Sequence, residues 1–224
     1  MTKKIVLMDI DGTIAIGSKA LPGAIEAVEE IRRNGCKVIF FTNNSQRTRD
    51  EITDKLNMMG FECAKEDVVS SGFVAAVFAK KEGLESIYIS GTEGLRTEFK
   101  NQGITIVSWK ECRTLVIGMD SEFDFHKMRD GINAAFKAET IVACNEDKVY
   151  ACDDDLLCPG CGGMVSCIEF CSGKKSDVVI GKPGTTMVNY IVESLGANRS
   201  DMIIVGDNYE SDVIGGRNSG VDSV

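Results

Sequence analysis

Several things are scarce in this sequence. One histidine (His126), one tryptophan (Trp109) and three prolines occur in 224 residues. A single histidine cannot build a multi-histidine metal centre, and three prolines cannot make a proline-rich linker. No run of 18 or more apolar residues is present, so no membrane-spanning helix is expected. The apolar run Ile5–Met8 that follows two lysines is too short for an export signal, and no small-residue cleavage site comes after it. Positive charge is also in deficit. Lys and Arg number 25 against 34 Asp and Glu, for a net charge of −9 and a pI near 4.8. Bulk attraction to nucleic acid or an anionic membrane needs the opposite sign, so neither is expected as a partner. Phosphate chemistry survives that exclusion, because a cation and helix N-termini can hold an anion locally.

Cysteine is the exception, with nine residues. Without an export signal, the expectation is free thiols in a reducing cytoplasm. Six of them, Cys144, Cys152, Cys158, Cys161, Cys167 and Cys171, lie close together. Cys158 and Cys161 have C-x₂-C spacing, and Cys167 and Cys171 stand four apart on an expected helix. Structural zinc and a redox switch are therefore the alternatives to free thiols.

Apolar strands alternate with amphipathic helices. Ile5–Met8 and Lys37–Phe41 are expected strands, and Val68–Ser71 is extended. Helices are expected over Pro22–Asn34, Thr48–Met59 and Gly72–Lys81. Further strands are expected at Ser86–Ile89, Ile104–Val107, Thr114–Gly118 and Ile141–Ala143, with helices over Gly94–Asn101 and Phe125–Ala138. The first pattern resumes with strands Val178–Ile180 and Met202–Val205 and helices Thr185–Leu195 and Asp212–Ser219. This alternation predicts an α/β fold, a doubly wound Rossmann-like core interrupted by a smaller inserted α/β domain. The expected division is 1–81 and 178–224 for the core and 82–177 for the insert.

The polar residues gather where these strands end. Asp9-Ile10-Asp11-Gly12-Thr13 follows the first, and Gly12 lets the chain turn and bring both carboxylates to one site. An Asx-turn with a helix cap accounts for the same residues. Thr42-Asn43-Asn44-Ser45 follows the second and offers donors to an anion, or a cap to the next helix. Gly181-Lys182-Pro183-Gly184 and Gly206-Asp207-Asn208-Tyr209-Glu210-Ser211-Asp212 follow two later strands. Four acids, a hydroxyl-bearing loop and a lysine thus fall at four strand ends of one expected sheet, where ligands bind in open α/β folds. Hard oxygen donors suit Mg²⁺. Asp9 and Asp11 fit a nucleophile and an acid/base, Thr42 and Lys182 a phosphoryl clamp, and Asp207 with Asp212 a metal.

DIDGT, TNN, GKP and GDNYESD, in that order, resemble the haloacid dehalogenase superfamily of phosphatases. The insert between TNN and GKP makes the chain most similar to the NagD/p-nitrophenylphosphatase branch, with a C2-type α/β cap. The resemblance implies that Asp9 attacks phosphorus and that Asp11 is the acid/base. It implies a Mg²⁺ held by the side chains of Asp9 and Asp207 and the backbone carbonyl of Asp11, with Asp212 orienting a metal-bound water or ligating directly. Thr42, Asn43 and Asn44 would receive the phosphoryl group, with Lys182 neutralising it. Asn145 and the loop at Gly160 would contact the rest of the substrate, a small phosphorylated metabolite such as a sugar phosphate, phosphoglycolate or a nucleoside monophosphate. A homodimer through the cap is also implied. Gly220–Val224 ends where the family continues with another strand and helix, so a naturally short or lost end and an exposed sheet edge are expected.

Three other readings use the same residues. A receiver-type signalling domain also clusters acids, Thr and Lys, but carries its phospho-acceptor on the third strand and has no acid/base two residues later. A phosphotransferase or mutase would pass the phosphoryl group to a sugar. A non-catalytic metabolite-binding relative would lack an essential acid, and none is missing. His126, Trp109, Phe123 and the turn Asp153-Asp154-Asp155 are assigned no chemistry.

Overall fold

The run Ile5–Met8 forms β1, and all four of its side chains are buried, as a strand covered on both faces requires. The computed structural model describes residues 3–151 and 156–224. After β1 come a small hairpin, β2 (Ala15–Ile16) and β3 (Lys19–Ala20), then α1 (Ala24–Arg33), β4 (Lys37–Thr42), α2 (Arg49–Met58), β5 (Val68–Ser70) and α3 (Ser71–Lys81). The middle holds β6 (Ile87–Ser90), α4 (Glu93–Asn101), β7 (Thr114–Ile117), α5 (Phe125–Lys137), β8 (Thr140–Ala143), β9 (Val149–Ala151), β10 (Leu157–Pro159) and α6 (Cys161–Ser172). The last part holds β11 (Val178–Val179), α7 (Thr186–Leu195), β12 (Met202–Val205), a π-helical turn over Tyr209–Val213, α8 (Ile214–Ser219) and β13 (Asp222–Ser223).

Two parallel sheets organise these elements. The first has the order β13-β12-β1-β4-β5 and the second β11-β8-β7-β6. In the first sheet the chain moves from β1 out to β4 and β5, then crosses to the other side of β1 for β12. That reversal opens a crevice beside the carboxyl end of β1. One apolar cluster runs from Leu7 and Phe41 of the first sheet through Phe73 and Val74 of α3 to Ile87, Ile89 and Val116 of the second. A second cluster lies under α5 and α6, with Trp109 and Phe123 packed against it, and a third lies under α1 and α2. Capping is explicit at α2. The Thr48 hydroxyl accepts the Glu51 N–H and the Glu51 carboxylate accepts the Thr48 N–H, a reciprocal box. Among the described residues no helix is long and apolar enough to cross a membrane.

The α/β alternation is as the sequence predicts, with several differences. The strand beginning at Val178 joins the second sheet, pairing with Val142 and Ala143, rather than resuming the first. An all-apolar strand suits either sheet, so its partner is chosen by tertiary packing. Ile104–Val107 is not a strand; only Ile106 forms a bridge, to Ile87. The helix expected from Asp212 starts as a π-helical turn at Tyr209 and becomes α-helical only at Ile214. At the chain end Asp222–Ser223 pairs with β12 and forms the edge strand of the first sheet. Among the described residues seven cysteines are free, and Cys158 is disulfide-bonded. A sulfur in a disulfide is not a thiolate ligand, so the C-x₂-C zinc reading loses its first pair. Cys152 and the Asp153-Asp154-Asp155 turn lie outside the described residues.

Leu115 on β7 is fully buried between its neighbours. Leu115→Ala is expected to lower the unfolding free energy by about 2–5 kcal/mol, from lost transfer energy and the cavity left behind, measured by urea denaturation.

Candidate active site

The two sheets meet carboxyl end to carboxyl end. Each loop leaving the second sheet touches a loop of the first. Lys182, after β11, meets Asp9, after β1. Asn145, after β8, donates from Nδ2 to Asn43 O (2.7 Å), after β4. Ser45 Oγ accepts the N–H of Met119, after β7 (2.9 Å). Thr92 Oγ1, after β6, donates to Gln46 O (2.5 Å). Glu98 of α4, 2% exposed, accepts the N–H of Arg49 at the start of α2 (2.5 Å). A cleft of about 580 Å³ lies at this junction, lined by Asp9, Asp11, Thr42, Asp147 and Asp207, with Tyr150 and Leu157 of the β9–β10 hairpin beside them.

Lys182 is the centre of charge. Its side chain is 3% exposed, and Nζ donates to Asp9 Oδ1 (2.5 Å), Asp212 Oδ1 (2.7 Å) and Phe41 O (3.4 Å). Burial acts to strip such a lysine of its proton, but the Asp9 and Asp212 carboxylates outweigh it and hold its pKa above the ordinary value. For Asp9 burial prevails instead. Burial pushes its carboxyl up to about 6, with Asp212 and Asp11 adding to the rise and Lys182 opposing it.

Asp207 completes the cluster. Asp9, Asp207 and Asp212 bring carboxylate oxygens within 4.8 Å of one another. The Thr13 hydroxyl lies between two of them, 3.2 Å from Asp9 Oδ2 and 3.1 Å from Asp207 Oδ1. Gly12 makes the approach possible. Its φ is +97°, and a Cβ there would stand 2.5 Å from Asp207 Oδ2. Three converging carboxylates against one ammonium, all hard oxygen donors, fit a divalent cation. Asp212 is the most committed of the three, because its Oδ2 also accepts the Asn208 N–H (3.1 Å) and the Ser211 hydroxyl (3.4 Å).

Asp11 lies outside this cluster, exposed on the cleft wall, with Oδ1 3.4 Å from Lys55 Nζ. Thr42 is buried in the cleft floor, and its hydroxyl accepts the Asn44 N–H (3.0 Å), leaving its hydrogen for another partner. The other expected substrate ligands have protein partners. Asn44 Oδ1 accepts the N–H groups of Gln46 and Arg47 (both 3.1 Å), which shapes the loop. Asn43 uses both ends of its amide on Lys182 and Asp147. Asn145 binds Asn43 O and the Asp147 N–H. Gly160 lines the cleft, with its N–H donating to Lys148 O (2.9 Å).

Thr13 and Asn208 stand in the strand-end stretches, but the sequence assigned no role to them or to Asp147, and it did not single out Lys55. Thr13 had a signal, standing next to Asp-Gly at a strand end. Lys55 sits on a charged helix face and looks like any solvated lysine. Asp147 is the most notable, because burial pushes its carboxyl up and no local pattern announces it.

Gly12→Ala is expected to displace Asp207, weaken divalent-cation binding by tenfold or more, and destabilise the fold by about 1 kcal/mol or more through its positive φ. Calorimetric titration with Mg²⁺ and thermal melts would measure both.

Comparison with known proteins places the chain. The haloacid dehalogenase-like hydrolase family model matches residues 6–105, and a HAD-hydrolase-like model matches 179–224. The acid sugar phosphatase of Staphylococcus aureus is 29% identical over 222 residues, covering 99% of this chain and 85% of that protein. The p-nitrophenyl phosphatase from Archaeoglobus fulgidus superposes with a TM-score of 0.91 at 29% identity, covering all of this chain and 85% of that one. The glycerol phosphate phosphatase from Mycobacterium tuberculosis, in complex with magnesium, superposes at 0.89 with 27% identity, over 99% of this chain and 66% of its own. With its four motifs at one junction of two parallel sheets, the chain belongs to the haloacid dehalogenase-like hydrolases, in their NagD-like p-nitrophenylphosphatase branch.

Proposed function

We propose that the chain is a Mg²⁺-dependent phosphomonoesterase that works through an aspartyl-phosphate on Asp9. The observation that carries this reading is the buried Asp9–Lys182–Asp212 array with Asp207 beside it. In this reading Asp9 attacks phosphorus with Oδ2, which the Thr13 hydroxyl releases, while Lys182 holds Oδ1. The bond to the leaving oxygen breaks, and Asp11 supplies its proton. Asp11 then takes a proton from water as that water attacks the phosphorus, which releases orthophosphate and restores the Asp9 carboxylate. Thr42 and Lys182 offset the charge that develops on the phosphoryl oxygens. Asp9 and Asp207, with the Asp11 carbonyl, would hold the Mg²⁺, Asp212 supporting them, and the ion would add a fixed positive charge at the phosphoryl group. Asp11 sits two residues after a nucleophile on the central strand, which favours an enzyme over a receiver domain.

The proposed substrates are small phosphomonoesters. A cleft of about 580 Å³ is the size for a metabolite, and the similar proteins are named for acid sugar, p-nitrophenyl and glycerol phosphates.

The direct test is hydrolysis of p-nitrophenyl phosphate. Turnover is expected with Mg²⁺, with a loss of at least 10³-fold on adding EDTA or in Asp9→Asn. Turnover undiminished by Asp9→Asn would sink the proposal.

A pH dependence follows from the raised Asp9. Its folded pKa of about 6 lies above the unfolded value, so the metal-free fold loses stability through this group as pH rises from about 4 to about 6. A cation competes with that proton. The rise in Tm on adding Mg²⁺ is therefore expected to be larger at pH 7.5 than at pH 5, read by differential scanning fluorimetry. An increment independent of pH would contradict it.

A further inference from the structure

We propose that Asp147, contributed by the second sheet, is a positioning residue for Lys182 and acts through Asn43. The argument starts from the Asn43 side chain, which is 9% exposed. Its Oδ1 accepts the Lys182 N–H (2.8 Å). Its Nδ2 donates to Lys182 O (3.0 Å) and to the Asp147 carboxylate, 3.0 Å from each oxygen. One amide thus grips both backbone groups of the residue whose ammonium lies between Asp9 and Asp212.

An amide can be turned over, and that exchange costs little unless a neighbour forbids it. Here the neighbour is a carboxylate, which accepts and, when ionised, never donates. Turning Asn43 over would set its oxygen against the Asp147 carboxylate and its NH₂ against the Lys182 N–H. Both contacts would be repulsive, and both bonds to the Lys182 backbone would be lost. Asp147 and the Lys182 backbone thus agree on which way Asn43 faces; Asp147 anchors the amide from the side away from Lys182, and Asn43 holds the Lys182 backbone.

Asp147 is itself braced. Its N–H donates to Asn145 Oδ1 (3.1 Å), and its carbonyl accepts the Gly162 N–H at the start of α6 (2.9 Å). Asn145 in turn donates to the Asn43 carbonyl. The inserted segment thus supplies part of the frame that aims the lysine, in addition to covering the cleft.

The activity arm of the test rests on the phosphatase reading, whereas the structural arm does not. In a double-mutant cycle on p-nitrophenyl phosphate, Asp147→Ala is expected to lower kcat about 10- to 100-fold in the natural background. In a Lys182→Ala background the same change should cost less than threefold. Asp147→Asn, which keeps an acceptor oxygen, should recover most of the loss. A crystal structure of Asp147→Ala should show Asn43 displaced from its place against the Lys182 backbone and the Lys182–Asp9 contact broken. Equal losses in both backgrounds, or an undisturbed Lys182–Asp9 contact in that structure, would overturn the proposal. If the natural protein fails to hydrolyse p-nitrophenyl phosphate, the phosphatase reading falls, and the crystal structure still decides the role of Asp147.

Discussion

A buried ammonium between two buried carboxylates is the constraint that the rest of this molecule serves. Lys182, Asp9 and Asp212 are each nearly inaccessible to water, and removing one partner from such a group costs about 3–5 kcal/mol because the others are left uncompensated. The group also comes from distant places. Asp9 ends a strand of the first sheet, Asp212 lies in the turn after another, and Lys182 follows a strand of the second. Closing these contacts forces two parallel sheets to face each other at their carboxyl ends. The net negative charge left there, increased by Asp207, is what makes the cleft a place for a cation.

The loops at the junction are tied by polar contacts rather than by apolar packing. Ser45 with Met119, Thr92 with Gln46, Glu98 with Arg49, and Asn43 with Asn145 and Asp147 each pair one sheet with the other. Such bonds are directional and largely buried, so an unmade one leaves an unsatisfied group. The exposed Lys148–Glu210 ion pair also joins the two sides, but screening by water makes it a minor contributor.

The Asx-type loop after β4 illustrates why polar residues at a strand end are ambiguous. Thr42, Asn43 and Asn44 all look like anion ligands in a linear reading. In three dimensions all three line the cleft; Asn44 Oδ1 shapes the loop backbone, Asn43 is also a strut to Lys182, and Thr42 keeps a hydroxyl hydrogen to spare. The cysteines teach the same caution. Cys161 is buried, with its thiol pushed up to about 12 by burial, and it packs as a small apolar residue rather than as a ligand.

Much was legible in the linear sequence because the controlling physics is local. Apolar runs of four residues, helix stripes with Thr48 and glycine punctuation, and acids placed just after strands are set by spacing alone. These were enough for the α/β class and for acids and a lysine gathered at strand ends, of which Asp9, Lys182, Asp207 and Asp212 meet while Asp11 stands apart on the cleft wall. Pairing was not local. Val178–Val179 is apolar enough for either sheet, and only packing put it beside β8 and so brought Lys182 in from the second sheet. Asp147 and Lys55 lie 104 and 44 residues from Asn43 and Asp11, their partners, and nothing in their neighbourhoods in the sequence encodes that meeting. Chain composition and periodicity determined the kind of fold and the kind of chemistry; the tertiary structure decided which side chains face the substrate and which hold the others in place, because that choice depends on contacts between segments far apart in the chain.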